Sequence, residues 1–224
     1  MLDNHPQREV TVVVLGKYAD IFAGFKESAE RFLGNYPRIL VRDGNEIPDP
    51  GVGWKLVQGP EKFSMAGNAN LGWRAVHPEH DILYTSDDVR FTHVCPVERL
   101  RLAAYTNPKI GILSPLIHGA ACNKLQTYTP LTHTTETQEP LAFICVYIKR
   151  ELIEKIGMLD EEFDEYGYDD VDYCRRAIKD GFTMAVTPAV KIIHWDDAHA
   201  TFKRNPVWSL EKNRETFKRK WGET

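Results

Sequence analysis

Short apolar runs that alternate with helical segments place the strongest constraint on how this chain folds. The β-branched run VTVVVL at residues 10–15 is typical of a strand that is buried on both faces. Residues 19–33 then repeat apolar side chains at helical spacing, and a second strand is predicted at 38–41. Strands predicted at 54–58 and 81–86 continue the alternation. This order predicts an α/β fold with a mostly parallel central sheet and helices on both faces.

The second half of the chain is less regular. Segment 117–140 is rich in Thr and has no clear period, and a loop of this length inside a domain often carries function. The remaining predicted elements are helices near 65–76, 96–106, 149–157, 170–180 and 206–221, and strands near 110–114, 141–148, 182–187 and 189–194. With 224 residues, the chain has ample length for a buried core.

Composition and charge exclude several broad classes of protein. With 42% hydrophobic and 27% charged residues, the chain is neither disordered nor fibrous. A net charge of −4 argues against a general nucleic-acid binder. Residues 203–224 hold seven Lys/Arg and three Glu, and this basic tail suits contact with a diphosphate or an anionic membrane surface. The four cysteines form no CxxC pair and the chain begins with polar residues, so we expect a cytoplasmic protein, with peripheral membrane contact through the tail as a further possibility.

Acidic residues follow two of the predicted strands. Asp43 comes just after the second strand, and Asp87 and Asp88 follow DILYTS directly. Because ligands bind beyond the C-terminal ends of parallel strands, we expect these carboxylates to converge at one edge of the sheet. Adjacent aspartates supply the hard oxygen ligands that Mg²⁺ or Mn²⁺ prefers. The alternative for this pair is a solvated turn with local hydrogen bonds.

A second acidic cluster lies in EYGYDDVDYCRR, residues 165–176. Carboxylates in the first turn of a helix interact favourably with its dipole, by about 0.3–1 kcal/mol, which accounts for one or two acids. The same acidic row includes Glu161, Glu162, Asp164 and Glu165. This excess of like charge leaves two interpretations open, a structural helix start or a nearby cation or catalytic carboxylate.

A histidine ends the last predicted strand. His194 closes the apolar run KII and is either a packed, hydrogen-bonded residue or a metal ligand. Asp196, Asp197 and His199 follow it closely and make the second interpretation available. Spacing alone does not choose between the two.

Taken in order, these motifs resemble those of the family 2 glycosyltransferases, which have the GT-A fold. VTVVVL resembles the opening strand of that family, VRDGNE its Asp-Gly-Ser turn, AGNANLG its second helix start, and YTSDDV its metal motif. The longest match is IGMLDEEFDEYGYDDVDYCRRAIKDG, and IIHW and NRETFKRKWG match two further family motifs. The resemblance runs from about Val10 to Gly222. It implies one GT-A domain at 1–224, with a nucleotide-sugar-binding half at about 1–115 and an acceptor-binding and catalytic half at about 116–224.

The resemblance also implies a role for individual residues. The donor nucleotide sugar is expected to contact five residues: Asp43 at the base, and Asn70, Gly72, Asp87 and Asp88. A divalent Mn²⁺ or Mg²⁺ ion on the donor diphosphate is expected to be bound by Asp88, Asp87 and His194. Asp170 is expected to be the catalytic base, with Asp169 either its positioning partner or the base itself. Two positions depart from the family, since Ser86 replaces the first acid of the metal motif and Asp169 replaces a Glu.

The implied reaction is transfer of a sugar from a nucleoside diphosphate sugar, with UDP or dTDP favoured, to an acceptor hydroxyl with inversion. The acceptor is a glycan, a lipid-linked molecule or a small molecule, and no nucleic-acid partner is expected. A sugar nucleotidyltransferase is one alternative, although LGKYADIFAG lacks the Gly-rich basic loop expected after its first strand. A glycoside hydrolase would use two carboxylates without a nucleotide. A non-catalytic sugar- or nucleotide-binding module would need neither base nor metal.

Overall fold

The chain forms a layered α/β structure, seen in a computed structural model that describes residues 8–119, 121, 123–127, 130–194, 204 and 210–222. These residues include nine strands: β1 Val10–Gly16, β2 Arg38–Arg42, β3 Trp54–Gln58, β4 Asp81–Ser86, β5 Val89–Phe91, β6 Ile110–His118, β7 Thr135–Thr137, β8 Cys145–Ile148 and β9 Thr183–His194. They also include six helices: α1 Ala19–Phe32, α2 Met65–Arg74, α3 Pro96–Ala104, α4 Arg150–Ile156, α5 Asp169–Lys179 and α6 Glu211–Trp221. Within this part of the chain, no helix is both long and apolar enough to cross a membrane.

All nine strands belong to one sheet, in the order β3-β2-β1-β4-β8-β6-β9-β5, with β7 also paired to β9. The predicted α/β class is confirmed, and strands β3, β2, β1 and β4 are parallel as expected. The second half of the sheet is mixed, because β8 runs antiparallel to both of its neighbours and β5 and β7 run antiparallel to β9. Two adjacent parallel strands need a crossover connection, which is usually a helix. The described part of the connection between β6 and β8 contains no helix, which agrees with their antiparallel pairing.

Two apolar cores lie on opposite faces of the sheet. The first lies under α1 and α3 and includes Phe25 and Leu100, and the second lies under α2, α4 and α5 and includes Trp73 and Tyr173. Successive valines of β1 alternate between these cores, so a strand covered on both sides needs the continuous apolar run seen in the sequence. Fully burying one such side chain contributes about 1.5–3 kcal/mol.

The strand predicted at 141–148 is shorter in the structure, because only β8 joins the sheet. The backbone N–H groups of residues 141–143 donate instead to the side chains of Cys174, Gln126 and Asp170. Side-chain acceptors therefore take the place of a neighbouring strand for this segment. The segment is held close to the start of α5, and this matters for the site described below.

The two strands predicted at 182–187 and 189–194 form the single strand β9. Its register with β6 shifts between Thr187 and Lys191, which leaves residues 188–190 without partners on β6. Pro188 has no N–H group to donate, so a bulge at this position lets the strand continue past it. The loop predicted at 117–140 contains the end of β6 and the short strand β7.

Candidate active site

The parallel register of β2, β1 and β4 brings the ends of these three strands level at one edge of the sheet. Lys17, Asp43 and Asp87 therefore leave the sheet side by side. This is the edge at which an open α/β sheet binds ligands. The sequence-based expectation that the two acidic strand ends converge is met by this geometry.

Asp88 and His194 lie in contact at this edge. The short strand β5 pairs with β9 so that Val89 is opposite His194. The Asp88 carboxylate consequently lies 3.5 Å from Nε2 of His194, and both side chains are largely buried. Ser86 donates its hydroxyl to Asp88 at 2.5 Å. Burial by itself would raise the pKa of Asp88, but the hydrogen bond and charge of His194, together with Ser86, hold that pKa below its ordinary value.

Asp87 makes a different contact. Its carboxylate accepts a hydrogen bond from the backbone N–H of Lys17 at 3.2 Å. Burial, followed by the neighbouring charge of Asp88, raises the pKa of Asp87 well above the usual range. Two adjacent buried carboxylates of which one resists ionisation indicate a place where positive charge is favoured.

Of the three residues expected to bind a metal ion, Asp88 and His194 lie in contact. Among the described residues, no three His, Cys, Asp or Glu side chains are placed to bind one ion together. Asp88 and His194 do fit a divalent cation, because Mg²⁺ is commonly bound by one or two protein groups with substrate phosphates and water as its other ligands. The neighbouring Asp196, Asp197 and His199 lie outside the described residues.

Lys17 was missed by sequence reasoning. Its ammonium group forms an ion pair of 2.6 Å with Asp43, while its backbone N–H binds Asp87, so one residue connects both acidic strand ends. The Asp43 carboxylate is itself largely buried. A basic residue directly after the first strand, at the ligand edge of the sheet, was the available signal.

Asn70 and Gly72, which are expected to contact the donor, have structural contacts that account for both residue types. The Asn70 amide donates to the Leu159 carbonyl at 2.9 Å and accepts from the Leu159 N–H at 3.0 Å, inside the protein. A Cβ atom at Gly72 would lie 2.5 Å from Val13 and 2.9 Å from Val41. Gly72 therefore lets α2 pack closely on the sheet, and Asn70 holds the chain segment before α5.

Asp169 and Asp170 begin α5 and form the second carboxylate cluster. Asp169 is only 5% exposed, whereas Asp170 is half-buried. Asp170 accepts hydrogen bonds from its neighbour Val171 at 2.8 Å and from the Phe143 N–H at 3.3 Å. Burial raises the pKa of both carboxyl groups, and the charge of Asp170 raises the pKa of Asp169 further. The pair therefore holds a proton at higher pH than ordinary aspartates do.

Two consecutive residues connect the two carboxylate clusters. The Phe143 N–H donates to Asp170, and the Ile144 carbonyl accepts from the N–H of Ser86 at 2.9 Å, directly before Asp87. The clusters are thus separated by little more than the width of one short segment of chain. The Asp87-Asp88 cluster lies beside Lys17 and His194. The Asp169-Asp170 cluster lies at the start of α5.

Solved structures with the same architecture exist, although no protein-family model and no curated protein sequence matches the chain. The crystal structure of GalNAc-T7 with UDP, GalNAc and Mn²⁺ superposes with a TM-score of 0.69 at 11% identity, over 85% of this chain and 44% of that one. The chain has the GT-A glycosyltransferase fold.

Two further structures support the GT-A assignment. TarS of S. aureus superposes with a TM-score of 0.62 at 12% identity, over 85% of this chain and 37% of that one. Residues 1–349 of TarS give a TM-score of 0.60 at 13% identity, over 83% of this chain and 60% of that one. This GT-A chain therefore spans less than two thirds of the length of each structure that it resembles.

The acidic row before α5 has four members with cationic partners in the same chain, which favours the structural interpretation for these four. Its ion pairs are Asp160 with Lys220, Glu161 with Arg74, Glu162 with Arg219, and Asp164 with Lys62 and Lys212. Lys218 pairs with Glu215 inside α6. Four of the five basic residues of α6 are thus matched by acids of the same chain, and the structure offers no support for a diphosphate or membrane contact through these four.

Asp172 has a structural role. It is fully buried and accepts from Arg176 at 2.8 Å, from Lys220 at 2.8 Å and from the Trp221 indole N–H at 3.0 Å. One carboxylate thereby joins α5 to α6. Of the two interpretations of the acidic cluster, the structural one therefore applies to Asp172.

A cavity of about 640 Å³ opens beside the bulge in β9. It is lined by residues 130–134 of the Thr-rich loop and by Thr187, Ala189 and Lys191 of β9. Lys191 precedes His194 on the same strand. The Thr-rich loop therefore borders a cavity beside β9, the strand that ends at His194.

Proposed function

We propose that this GT-A chain transfers a sugar from a UDP- or dTDP-sugar to an acceptor hydroxyl with inversion. The observation that carries this proposal is the pair of carboxylate clusters joined by Phe143 and Ile144. A direct displacement needs positive charge on the side of the leaving group and a general base on the other side. The cluster beside Lys17 and His194 suits the first requirement, and the Asp169-Asp170 pair suits the second.

The donor is proposed to bind along the ends of β1, β2 and β4. A carboxylate such as Asp43 can accept a hydrogen bond from the N3–H of a pyrimidine base, and Lys17 beside it offsets diphosphate charge. Asp88 and His194 are the residues that would bind Mn²⁺ or Mg²⁺. When bound, that cation stabilises the negative charge of the leaving diphosphate. The presence of UDP and Mn²⁺ in the GalNAc-T7 structure supports this choice of ligands.

Asp170 is proposed as the general base. It is more exposed than Asp169, so an acceptor hydroxyl can reach it, and the Phe143 N–H and the helix start hold its carboxylate in place. A raised pKa makes the carboxylate a stronger base than a solvated aspartate. Asp169 is proposed to act through Asp170, because burial and the charge of Asp170 raise the pKa of Asp169 and so favour a neutral Asp169 beside the base.

The acceptor, which is a glycan, a lipid-linked molecule or a small molecule, is proposed to bind in the cavity beside β9. Three threonines in its lining offer hydroxyl groups that can bond to a polyol: Thr132, Thr134 and Thr187.

We also propose that residues 1–224 act as one domain, in which the first half binds the donor and the second half supplies the acceptor contacts and the general base.

A thermal-shift and product-release experiment tests this function. We expect UDP or dTDP to raise the melting temperature in Mn²⁺ but little in EDTA, since a ligand at 100 times its dissociation constant adds about 2.7 kcal/mol of stability. Asp88→Asn should remove the Mn²⁺ dependence, and Asp49→Asn, at an exposed position, serves as the matched control. Equal stabilisation in EDTA would overturn the metal site.

Release of nucleoside diphosphate from a panel of UDP- and dTDP-sugars then tests catalysis. No release with any acceptor would overturn transfer and favour a non-catalytic binding module. Ala189→Trp places a bulky side chain in the cavity from an exposed position. With this variant we expect a higher KM for the acceptor and an unchanged KM for the donor, whereas equal effects on both would remove the acceptor from this cavity.

A further inference from the structure

The motif NRETFKRKWG forms α6, and it has no part in the reaction proposed above. Its most buried polar residue nevertheless contacts the loop that leads into the proposed base. Asn213 is fully buried. Its amide nitrogen donates to the carbonyl oxygens of Asp164 at 2.5 Å, Tyr166 at 3.1 Å and Gly167 at 2.9 Å. The two hydrogens of one NH₂ group are thus shared among three backbone acceptors in four consecutive residues.

That loop needs outside support because its backbone is in an unfavourable conformation. Glu165 has a φ of 59° and Tyr168 has a φ of 68°, in the left-handed region that residues with a Cβ atom seldom adopt. The remaining carbonyl of the loop, at Glu165, accepts from the N–H of Met65 at the start of α2 at 2.8 Å. Every carbonyl from 164 to 167 is therefore bonded to a donor outside the loop, and Asn213 supplies most of these bonds.

The same helix also contacts residues on both sides of the aspartate pair. The Phe217 ring lies 5.3 Å from that of Tyr168, the residue directly before Asp169. The Trp221 indole donates to Asp172, in the first turn after the pair, at 3.0 Å. Helix α6 therefore holds the chain immediately before and immediately after Asp169 and Asp170.

We propose that Asn213 is a positioning residue, which holds loop 164–168 so that the Asp169-Asp170 pair stays aligned with the donor side of the site. This inference rests on the proposed function of the aspartate pair as the catalytic base. Lys17 binds Asp43 and Asp87 at the strand ends, whereas Asn213 binds the loop before α5, so positioning and donor binding can be separated.

Asn213→Ala in the full chain tests the proposal. We expect kcat for release of nucleoside diphosphate to fall on the order of 10²-fold, because misplacement of a reacting group by about 1 Å can cost that much. The dissociation constant for UDP with Mn²⁺ should stay within about twofold of that of the unmodified chain, since the Asn213 amide binds the loop before α5 rather than the donor residues. Lys218→Ala is the matched control, because the ion pair it loses lies within α6, and it should leave both quantities unchanged.

Hydrogen exchange provides a readout that does not depend on catalysis. In Asn213→Ala, amides of residues 164–172 should exchange faster, while those of β1 and β4 keep their protection. Unchanged exchange in 164–172 would overturn the positioning role. If the unmodified chain releases no nucleoside diphosphate but the exchange result is as expected, the proposed function fails while the structural contact is upheld.

A milder variant covers the case in which Asn213→Ala does not fold. Trp221→Phe keeps an aromatic ring but loses the hydrogen bond to Asp172. We expect it to lower kcat less than Asn213→Ala does, with UDP binding unchanged. A parallel loss of UDP affinity and kcat in Trp221→Phe would indicate general destabilisation and would overturn the specific role of α6.

Discussion

At the scale of single residues, the partners of each carboxylate decide which of them is structural and which can do chemistry. Asp172 is fully buried but receives donors from Arg176, Lys220 and Trp221, so it is a structural anchor. Asp169 and Asp170 lie three residues or fewer from it, yet burial raises their pKa values above the usual range. The partners differ as well, since Asp172 accepts from cationic side chains and Asp170 accepts from backbone N–H groups.

We predict that Asp170→Asn lowers kcat by about 10²–10⁴-fold, because an amide cannot accept the acceptor's proton and general-base catalysis contributes that much. Affinity for UDP with Mn²⁺ should be unchanged. Steady-state kinetics and calorimetric binding measure the two quantities, and Asp180→Asn, at the exposed end of α5, is the control. Asp169→Asn should have a smaller effect on kcat. A larger loss in Asp169→Asn than in Asp170→Asn would make Asp169 the base.

At the scale of elements, charge holds α6 against the segment before α5. Hydrogen bonds from Lys212 and then Lys62 lower the pKa of Asp164 to about 2. Exposed ion pairs of this kind are individually weak, but several act together along one side of α6. Because the folded-state pKa of Asp164 is below that of an unfolded aspartate, about 4, its contribution is present above pH 4 and is lost as the pH falls towards 2.

We therefore predict that the double variant Lys62→Ala/Lys212→Ala is less stable than the unmodified chain at pH 7, and that this difference disappears near pH 2. Urea unfolding at several pH values measures it, and Lys218→Ala, whose ion pair lies within α6, is the control. Salt at 1 M should reduce the difference at pH 7 as well, because exposed pairs are screened. A difference that persists at pH 2 would show that the lysines act through packing rather than through Asp164.

At the scale of the whole molecule, the two halves implied by the resemblance are interleaved. Strand β6 runs across the expected boundary near residue 115. Strand β8, from the second half of the chain, lies between β4 and β6 in the sheet. Neither half can therefore complete its part of the sheet without the other.

We predict a single cooperative unfolding transition for the chain. Near-ultraviolet and far-ultraviolet circular dichroism should give the same urea midpoint, since tertiary packing and the sheet are lost together. Two separate midpoints would indicate that the donor-binding and catalytic halves fold independently. The Gly72→Ala variant should lower this one midpoint for both probes, because a Cβ atom there would meet Val13 and Val41.

The C-terminal helix α6 has contacts that the sequence did not reveal. Its amphipathic pattern and its motif were visible, yet neither showed that Asn213 binds the carbonyls of residues 164–167, because this contact joins residues nearly fifty positions apart. The same holds for the pairing of Asp164 with Lys212, which turned an apparent excess of acid into a balanced interface. Asn70 likewise matched a donor motif, but its partner Leu159 was not visible from the sequence.

Local patterns in the sequence were sufficient for the α/β class, for most helices and strands, and for the two acidic clusters, because apolar periodicity and the residues at strand ends are properties of neighbouring positions. Tertiary structure alone decided the antiparallel placement of β8 and the link from Phe143 and Ile144 to both clusters. The contact of Asp88 with His194 was implied by the family resemblance, but spacing in the sequence did not establish it. These depend on strand order and on which backbone donors and charges find partners across the fold. Pairings of that kind are set by the packing of the whole chain, and no single stretch of sequence records them.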